Sequence, residues 1–120
     1  MHKIKDLSDE QIYKVIKDGE FDNTIINSNK KVAIVMSQSW CPQWKMVLKW
    51  LLELPEIDDL DIYQIIYDEK DYFEEFMAFK EDVLGNYEVP YIRYYIDGKL
   101  IKETNVTSRM FFLDTFENKN

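Results

Sequence analysis

Lys31-Val32-Ala33-Ile34-Val35-Met36-Ser37-Gln38-Ser39-Trp40-Cys41-Pro42-Gln43-Trp44-Lys45 is the stretch on which the fold turns. It opens with a short, β-branched apolar run from Lys31 to Met36. Such a run reads as a strand buried on both faces, as in the centre of a helix-covered sheet. Pro42 cannot donate a backbone hydrogen bond, so it suits the first turn of a helix. Beyond it, Trp44, Val47, Leu48 and Leu51 recur at helical spacing, which marks a second helix with one buried face. Pro55 stops that helix near Leu54. Cys41 therefore sits where a buried strand turns into a helix.

Upstream, Ser8-Asp9-Glu10-Gln11 reads as a capping box, with Leu7 and Ile12 as its staple. Ile12, Val15 and Ile16 continue a first helix, and Gly19 is a natural stop. Downstream, Leu60 to Tyr67 is rich in Ile and Tyr and reads as a strand. Asp71 reads as the cap of a third helix carried to Gly85 by Phe73, Phe76, Met77, Lys80 and Leu84, a stripe best explained by core packing. Val89-Pro90-Tyr91 opens the next strand, Asp97-Gly98 is a two-residue hairpin signal, and Lys99 to Glu103 returns as a polar edge strand. A last helix starts near Thr107 or Ser108 and uses Phe112, Leu113 and Phe116. Strands alternating with helices, followed by a hairpin, predict an α/β domain with a mixed central sheet of about four to five strands flanked by helices.

The 120 residues fit one domain, with no Gly, Ser or Pro linker to divide them. Hydrophobic residues make up 46% and Gly and Pro number only three each, which excludes a disordered or low-complexity chain. A net charge of −8 argues against nucleic acid and against an anionic membrane surface as partners. Cys41 is the only cysteine, so no internal disulfide can form. The only histidine, His2, lies at the N-terminus, where a fraying end would serve poorly in a Cys–His or Ser–His–Asp site. No metal-ligand spacing is present, and no cofactor is expected. Asp58, Asp59 and Asp61 lack the Gly and Glu spacing of a calcium loop and read as solvated. Asn105-Val106-Thr107 fits a glycosylation pattern, but neither a leader nor a membrane span is legible, so the expected location is cytoplasmic.

A helix N-terminus presents unpaired N–H groups and partial positive charge, which favours a thiolate over a thiol. The thiolate is the attacking species in disulfide exchange. A lone cysteine can equally be a small buried hydrophobe. Trp-Cys-Pro at a strand-to-helix turn is a poor core sequence and a good exposed turn, which tilts the reading toward chemistry.

With Trp40-Cys41-Pro42-Gln43-Trp44-Lys45 after a buried strand, Val89-Pro90-Tyr91 entering a hairpin, and Asp97-Gly98 at its tip, the chain resembles the thioredoxin family over residues 24–117. Residues 1–23 are expected as a helical extension. The resemblance implies a thioredoxin-like fold and a cis bond into Pro90 facing the cysteine. It also implies that the backbone around Val89 pairs with an extended substrate. Two departures stand out. The family's second cysteine, three residues after the first, is here Trp44; its buried acid, six residues before the first, is here Val35. The two losses agree, because without a second thiol to deprotonate a buried carboxylate would only cost desolvation energy.

The site expected is therefore Cys41 as nucleophile, with Trp40, Pro42, Trp44, Val89, Pro90 and Tyr91 binding substrate. Trp44 is read either as inward packing or as part of a flat apolar surface with Trp40. The expected function is monothiol exchange through Cys41 with a protein or low-molecular-weight thiol or disulfide, an external thiol completing the reaction. A binding module using the Trp40, Pro90 and Tyr91 groove, and a peroxide-sensing cysteine, are the alternatives. The glycine-rich turn suited to a monothiol glutaredoxin's glutathione site is missing. A monomer is expected, which oxidation would link to a second copy through Cys41.

Overall fold

The computed structural model describes residues 2–117. Five strands form one sheet: β1 (Ile4–Asp6), β2 (Lys31–Ser37), β3 (Leu60–Ile66), β4 (Tyr91–Ile96) and β5 (Lys99–Thr104). Their spatial order is β1-β3-β2-β4-β5. β1 and β2 run parallel to β3, while β4 runs antiparallel to both β2 and β5. The helices are α1 (Asp9–Asp18), α2 (Asn23–Ile26), α3 (Pro42–Leu52), α4 (Phe73–Ala78) and α5 (Arg109–Glu117). The mixed, helix-flanked sheet expected from the sequence is present.

Two apolar layers close the sheet. One face gathers Val32, Ile34, Met36, Tyr91 and Tyr95 under Ile12, Val15, Ile25, Phe76 and Phe79. The other gathers Ala33, Val35, Ile92 and Tyr94 under Trp44, Val47, Leu51, Phe112 and Phe116. Alternate residues of β2 thus feed opposite cores, as the period-two geometry of a strand demands. This explains why β2 reads as an unbroken apolar run.

Local chemistry sets the boundaries. Ser8 and Gln11 form the expected reciprocal capping box, and Gly19 ends α1 at φ 84°. Asp97 and Gly98 take φ of 52° and 77° at the β4–β5 turn, the left-handed pair that a tight hairpin requires. Ser108 Oγ accepts from Phe111 N at 3.1 Å, which places the start of α5 at Arg109.

The sequence reading misses three features. β1 holds a single apolar residue at an edge, too little for periodicity to register. It pairs with β3, and α1 buries Ile12 and Val15 in the core. Among the described residues, those from 2 to 23 thus contribute a strand to the sheet and side chains to its core, beyond the helical extension expected. α2 is one turn, capped by Asp22 through Thr24 N at 3.1 Å. The third helix departs from its expected course as well. Its cap is Tyr72, without a side-chain bond, in place of Asp71, and after Ala78 it widens into a π-helical turn over Phe79–Val83. That turn carries Lys80 into the interior.

Phe112 is fully buried, its ring 5.4 Å from Trp50, 5.6 Å from Tyr94 and 5.5 Å from Phe116. Truncating it opens a cavity where α5 and α3 meet the sheet. Phe112→Ala is expected to cost about 3–5 kcal/mol in urea unfolding; a loss below about 1 kcal/mol would show that α5 is not part of the cooperative core.

Candidate functional site

The C-terminal end of β2 is where the buried strand runs out of apolar residues. Ser37, Gln38, Ser39 and Trp40 carry the chain across to Cys41, the N-cap of α3, with Pro42 in its first turn. The turn is closed by Cys41 N donating to Gln38 O at 3.3 Å and Lys45 N donating to Cys41 O at 3.1 Å. The Cys41 side chain makes no capping bond. Its sulfur lies 3.6 Å from the Val89 carbonyl oxygen and 3.5 Å from Gln43 Oε1. The Val89–Pro90 bond is cis, as the resemblance implied. Residues 48 positions apart in the chain are thus brought into contact at one sulfur.

The sulfur's surroundings differ from the expectation in two ways. Cys41 is only 1% exposed, whereas the sequence suggested an open turn. Its apolar neighbours on the α3 side of the sheet account for the burial. Both polar contacts are also acceptors, so a single S–H serves one of them at a time. The expected reception by backbone N–H groups is absent among the described residues.

The other site candidates separate into two groups. Trp40 is 60% exposed and Pro42 is exposed, while Val89 is half-buried and Pro90 buried. Trp40 and Pro42 flank Cys41 in the chain, and Val89, which leads into Pro90, brings its carbonyl to the sulfur. Trp44 packs inward with Val47 and Leu51, so of its two readings the structure has the packing one, and Trp40 is left as the exposed indole. Tyr91 lies on the opposite face of the sheet from Cys41. The alternation of β4 sends Ile92 to the cysteine side and turns Tyr91 away. There its hydroxyl accepts from Arg93 Nη1 at 2.9 Å and bonds Glu103, and burial pushes its phenol up to about 12. The Tyr91 side chain thus packs in the core on the face away from Cys41.

Sequence reasoning missed the residues that hold Trp40 in place. Trp40 Nε1 donates to Gln38 Oε1 at 2.5 Å, and Gln38 Nε2 donates to the Tyr67 hydroxyl at 3.2 Å. Tyr67 N donates to Ser37 O at 3.1 Å, so the end of β3 props the exit of β2. Ser39 donates to Asp68 through its N at 2.9 Å and its Oγ at 2.7 Å. No local pattern links positions 38–40 to 67–68; only the parallel β2–β3 register does.

His2 is buried and pinned, in contrast to the fraying end expected. Its N donates to Leu54 O at 2.7 Å, and its ring nitrogens lie 3.1 Å from Lys3 O and 3.2 Å from Ile57 O. It lines a shallow hollow with Leu48 and Leu52, in the last turns of α3. At about 1.5 Å per residue that lies roughly 10–17 Å along the helix from Cys41, out of reach as its base. Asp61 is also less solvated than expected, accepting from Ser28 Oγ at 2.7 Å and lying 3.3 Å from Lys5 Nζ. No group of three or more His, Cys, Asp or Glu side chains suited to a metal ion occurs among the described residues. No helix among them is long and apolar enough to cross a membrane. A groove of about 810 Å³ between β5 and α5, bordered by Lys102, Phe111 and Thr115, contains none of the site candidates.

Solved structures share this fold. Thioredoxin O2 from Arabidopsis thaliana superposes with a TM-score of 0.67 at 14% identity, over 98% of this chain and 96% of that one. The fold is thioredoxin-like. A chain of the complex between ferredoxin:thioredoxin reductase and thioredoxin f2 matches at TM-score 0.63 and 18% identity, over 96% of this chain and 93% of that one. Buckwheat glutaredoxin in complex with glutathione matches at TM-score 0.50 and 22% identity, over 81% of this chain and 78% of that one. At such identities the likeness is one of fold. No protein-family model matches the sequence, and no curated protein sequence matches it.

Burial alone would push the Asp68 carboxyl up, but the bonds from Ser39 outweigh it and hold the group below its ordinary value. A carboxyl depressed in the folded state stabilises above its unfolded pKa, and this contribution is lost as pH falls through the folded value. Wild type should therefore exceed Asp68→Asn in Tm at neutral pH, with the gap closing below about pH 4. A gap independent of pH would remove the Asp68 carboxylate from its role at the turn.

Proposed function

We propose that this thioredoxin-like protein carries out thiol–disulfide exchange through Cys41 alone. The observation that carries the reading is the approach of Cys41 Sγ to the carbonyl of Val89, the residue before the cis proline, at the mouth of a strand-to-helix turn. In the first step the Cys41 thiolate attacks one sulfur of a disulfide R–S–S–R′. The Cys41–S–R bond forms, the S–S bond of the substrate breaks, and R′–S⁻ leaves and takes up a proton. With Trp44 packed where a resolving thiol would stand, the mixed disulfide awaits an external thiol R″SH. Attack of R″S⁻ on the R sulfur forms R–S–S–R″ and returns the Cys41 thiolate. The net change is one disulfide exchanged for another and one thiol for another.

Several features support this reading. Trp40, the residue before Cys41, offers an exposed indole steadied by Gln38 and Tyr67. Val35, fully buried where the family places an acid, agrees with a mechanism that has no second thiol to activate. The partner is then a protein or low-molecular-weight disulfide, and the setting a cytoplasm, which is rich in external thiols. The reading takes the protein as a monomer that oxidation of Cys41 can link to a second copy.

The 1% exposure of Cys41 favours a second reading, in which the surface around Trp40 and Pro90 binds partners without turnover. Exchange requires the cover over Sγ to move, whereas binding does not. The two readings differ in what Cys41→Ser does. For exchange, wild type should form a disulfide with a cysteine-containing peptide activated as a mixed disulfide, seen by intact mass, and Cys41→Ser should form none. Partner binding that survives Cys41→Ser undiminished, with no adduct on wild type, would favour the binding module. Insulin reduction with dithiothreitol should stay near the uncatalysed rate; robust turnover would contradict the single-thiol scheme.

A further inference from the structure

We propose that Asn105 is a positioning residue of the exchange site, acting through the Glu88–Pro90 backbone to hold the Val89 carbonyl against Cys41 Sγ. The inference rests on the exchange reading above. Asn105 follows the end of β5, far in sequence from Cys41. Its Nδ2 has two hydrogens for three acceptors: Pro90 O and Asn86 Oδ1 each lie at 3.0 Å, and Glu88 O, at 3.4 Å, shares a hydrogen with one of them. Asn86 answers with Nδ2 donating to Asn105 Oδ1 at 3.3 Å, and its Oδ1 also accepts from Glu88 N at 3.1 Å. The carbonyls on both sides of Val89 are therefore drawn to one amide, and the carbonyl between them is the one that meets the sulfur.

The clamp has a firm anchor. Asn86 N donates to Lys80 O at 3.1 Å, and Lys80 Nζ donates to Asn86 O at 2.9 Å. Lys80 is 1% exposed, and its ammonium lies 5.7 Å from the Tyr91 ring centroid. A buried ammonium depends on such partners, so it holds the Asn86 carbonyl tightly. The π-helical turn over Phe79–Val83 delivers Lys80 to this position. The clamp also gives the Asn105-Val106-Thr107 pattern a structural role: the amide nitrogen that glycosylation would take is spent on the loop before the cis proline.

Asn105→Asp keeps the size of the side chain and replaces the donor with an acceptor. One carboxylate oxygen still accepts from Asn86 Nδ2, but the other can no longer donate, so Pro90 O and Glu88 O lose this partner. Three proteins decide the matter: wild type, Asn105→Asp, and Phe116→Leu as a destabilised control outside the clamp. Each is treated with iodoacetamide, which needs only the sulfur, and with a peptide mixed disulfide, which needs the Val89–Pro90 backbone as well. In Asn105→Asp the rate with the peptide should fall roughly tenfold more than the rate with iodoacetamide, while the control changes both rates by one factor. Equal change in both rates for Asn105→Asp, or no change, overturns the proposal. If wild type is alkylated but exchanges with no disulfide, the exchange reading fails, and the clamp is judged by NMR on the same proteins. Carbonyl-carbon shifts at Val89 and Pro90 that move in Asn105→Asp and stay fixed in the control uphold it; shifts unmoved in both overturn it.

Discussion

β2 has no side left for water. It is hydrogen-bonded to β3 on one edge and β4 on the other, and its residues from Val32 to Ser37 are buried. A strand so enclosed leaves only its two ends for polar chemistry, and binding sites of open α/β sheets form beyond the carboxyl ends of such strands. Here that end delivers Ser37, Gln38, Ser39 and Trp40 to the start of α3. The position of Cys41 follows from this enclosure. So does the cost of any acid at Val35, which would sit unpaired between the sheet and α3.

The two faces of the sheet are put to different use. The α3–α5 face carries the sulfur and an almost wholly apolar layer. The α1–α4 face carries a polar network on β4, in which Arg93 donates to the hydroxyls of Tyr91 and Tyr95 and pairs with Glu20 at 2.9 Å. Tyr95 in turn donates to the other Glu20 oxygen at 2.9 Å. Each buried donor thus has a partner, the condition under which such a network orders a core without penalty. This network fixes β4 from below, and the clamp of Asn86 and Asn105 fixes the loop that enters it. The Val89 carbonyl reaches the sulfur from a segment held on both sides.

Much of the architecture was readable along the chain. The capping box at Ser8, the run through β2, the Pro42 start of α3 and the Asp97-Gly98 turn are all short-range signals, set by backbone geometry and local hydrogen bonding. The thioredoxin-like fold, and the approach of the segment entering Pro90 to Cys41, were implied by the family resemblance that Trp40-Cys41-Pro42 and Val89-Pro90-Tyr91 carry. β1 escaped notice because an edge strand of three residues with one apolar side chain has no period to detect. The misplacement of Tyr91 had a different source. Adjacency to Pro90 suggested the site, whereas strand alternation, fixed by the pairing of Val35 with Ile92, sends the ring to the far face.

What the amino-acid order determined by itself is the set of elements, their succession, and the absence of any second thiol to complete an exchange. Only the tertiary structure decided that Cys41 is enclosed, that Gln38 and Tyr67 steady Trp40, and that the Asn105 amide meets the Pro90 carbonyl. The reason is range. Caps, turns and periodic faces are written within a few residues of one another, while sulfur access and amide clamps depend on strands paired across dozens of positions, whose register no local pattern encodes.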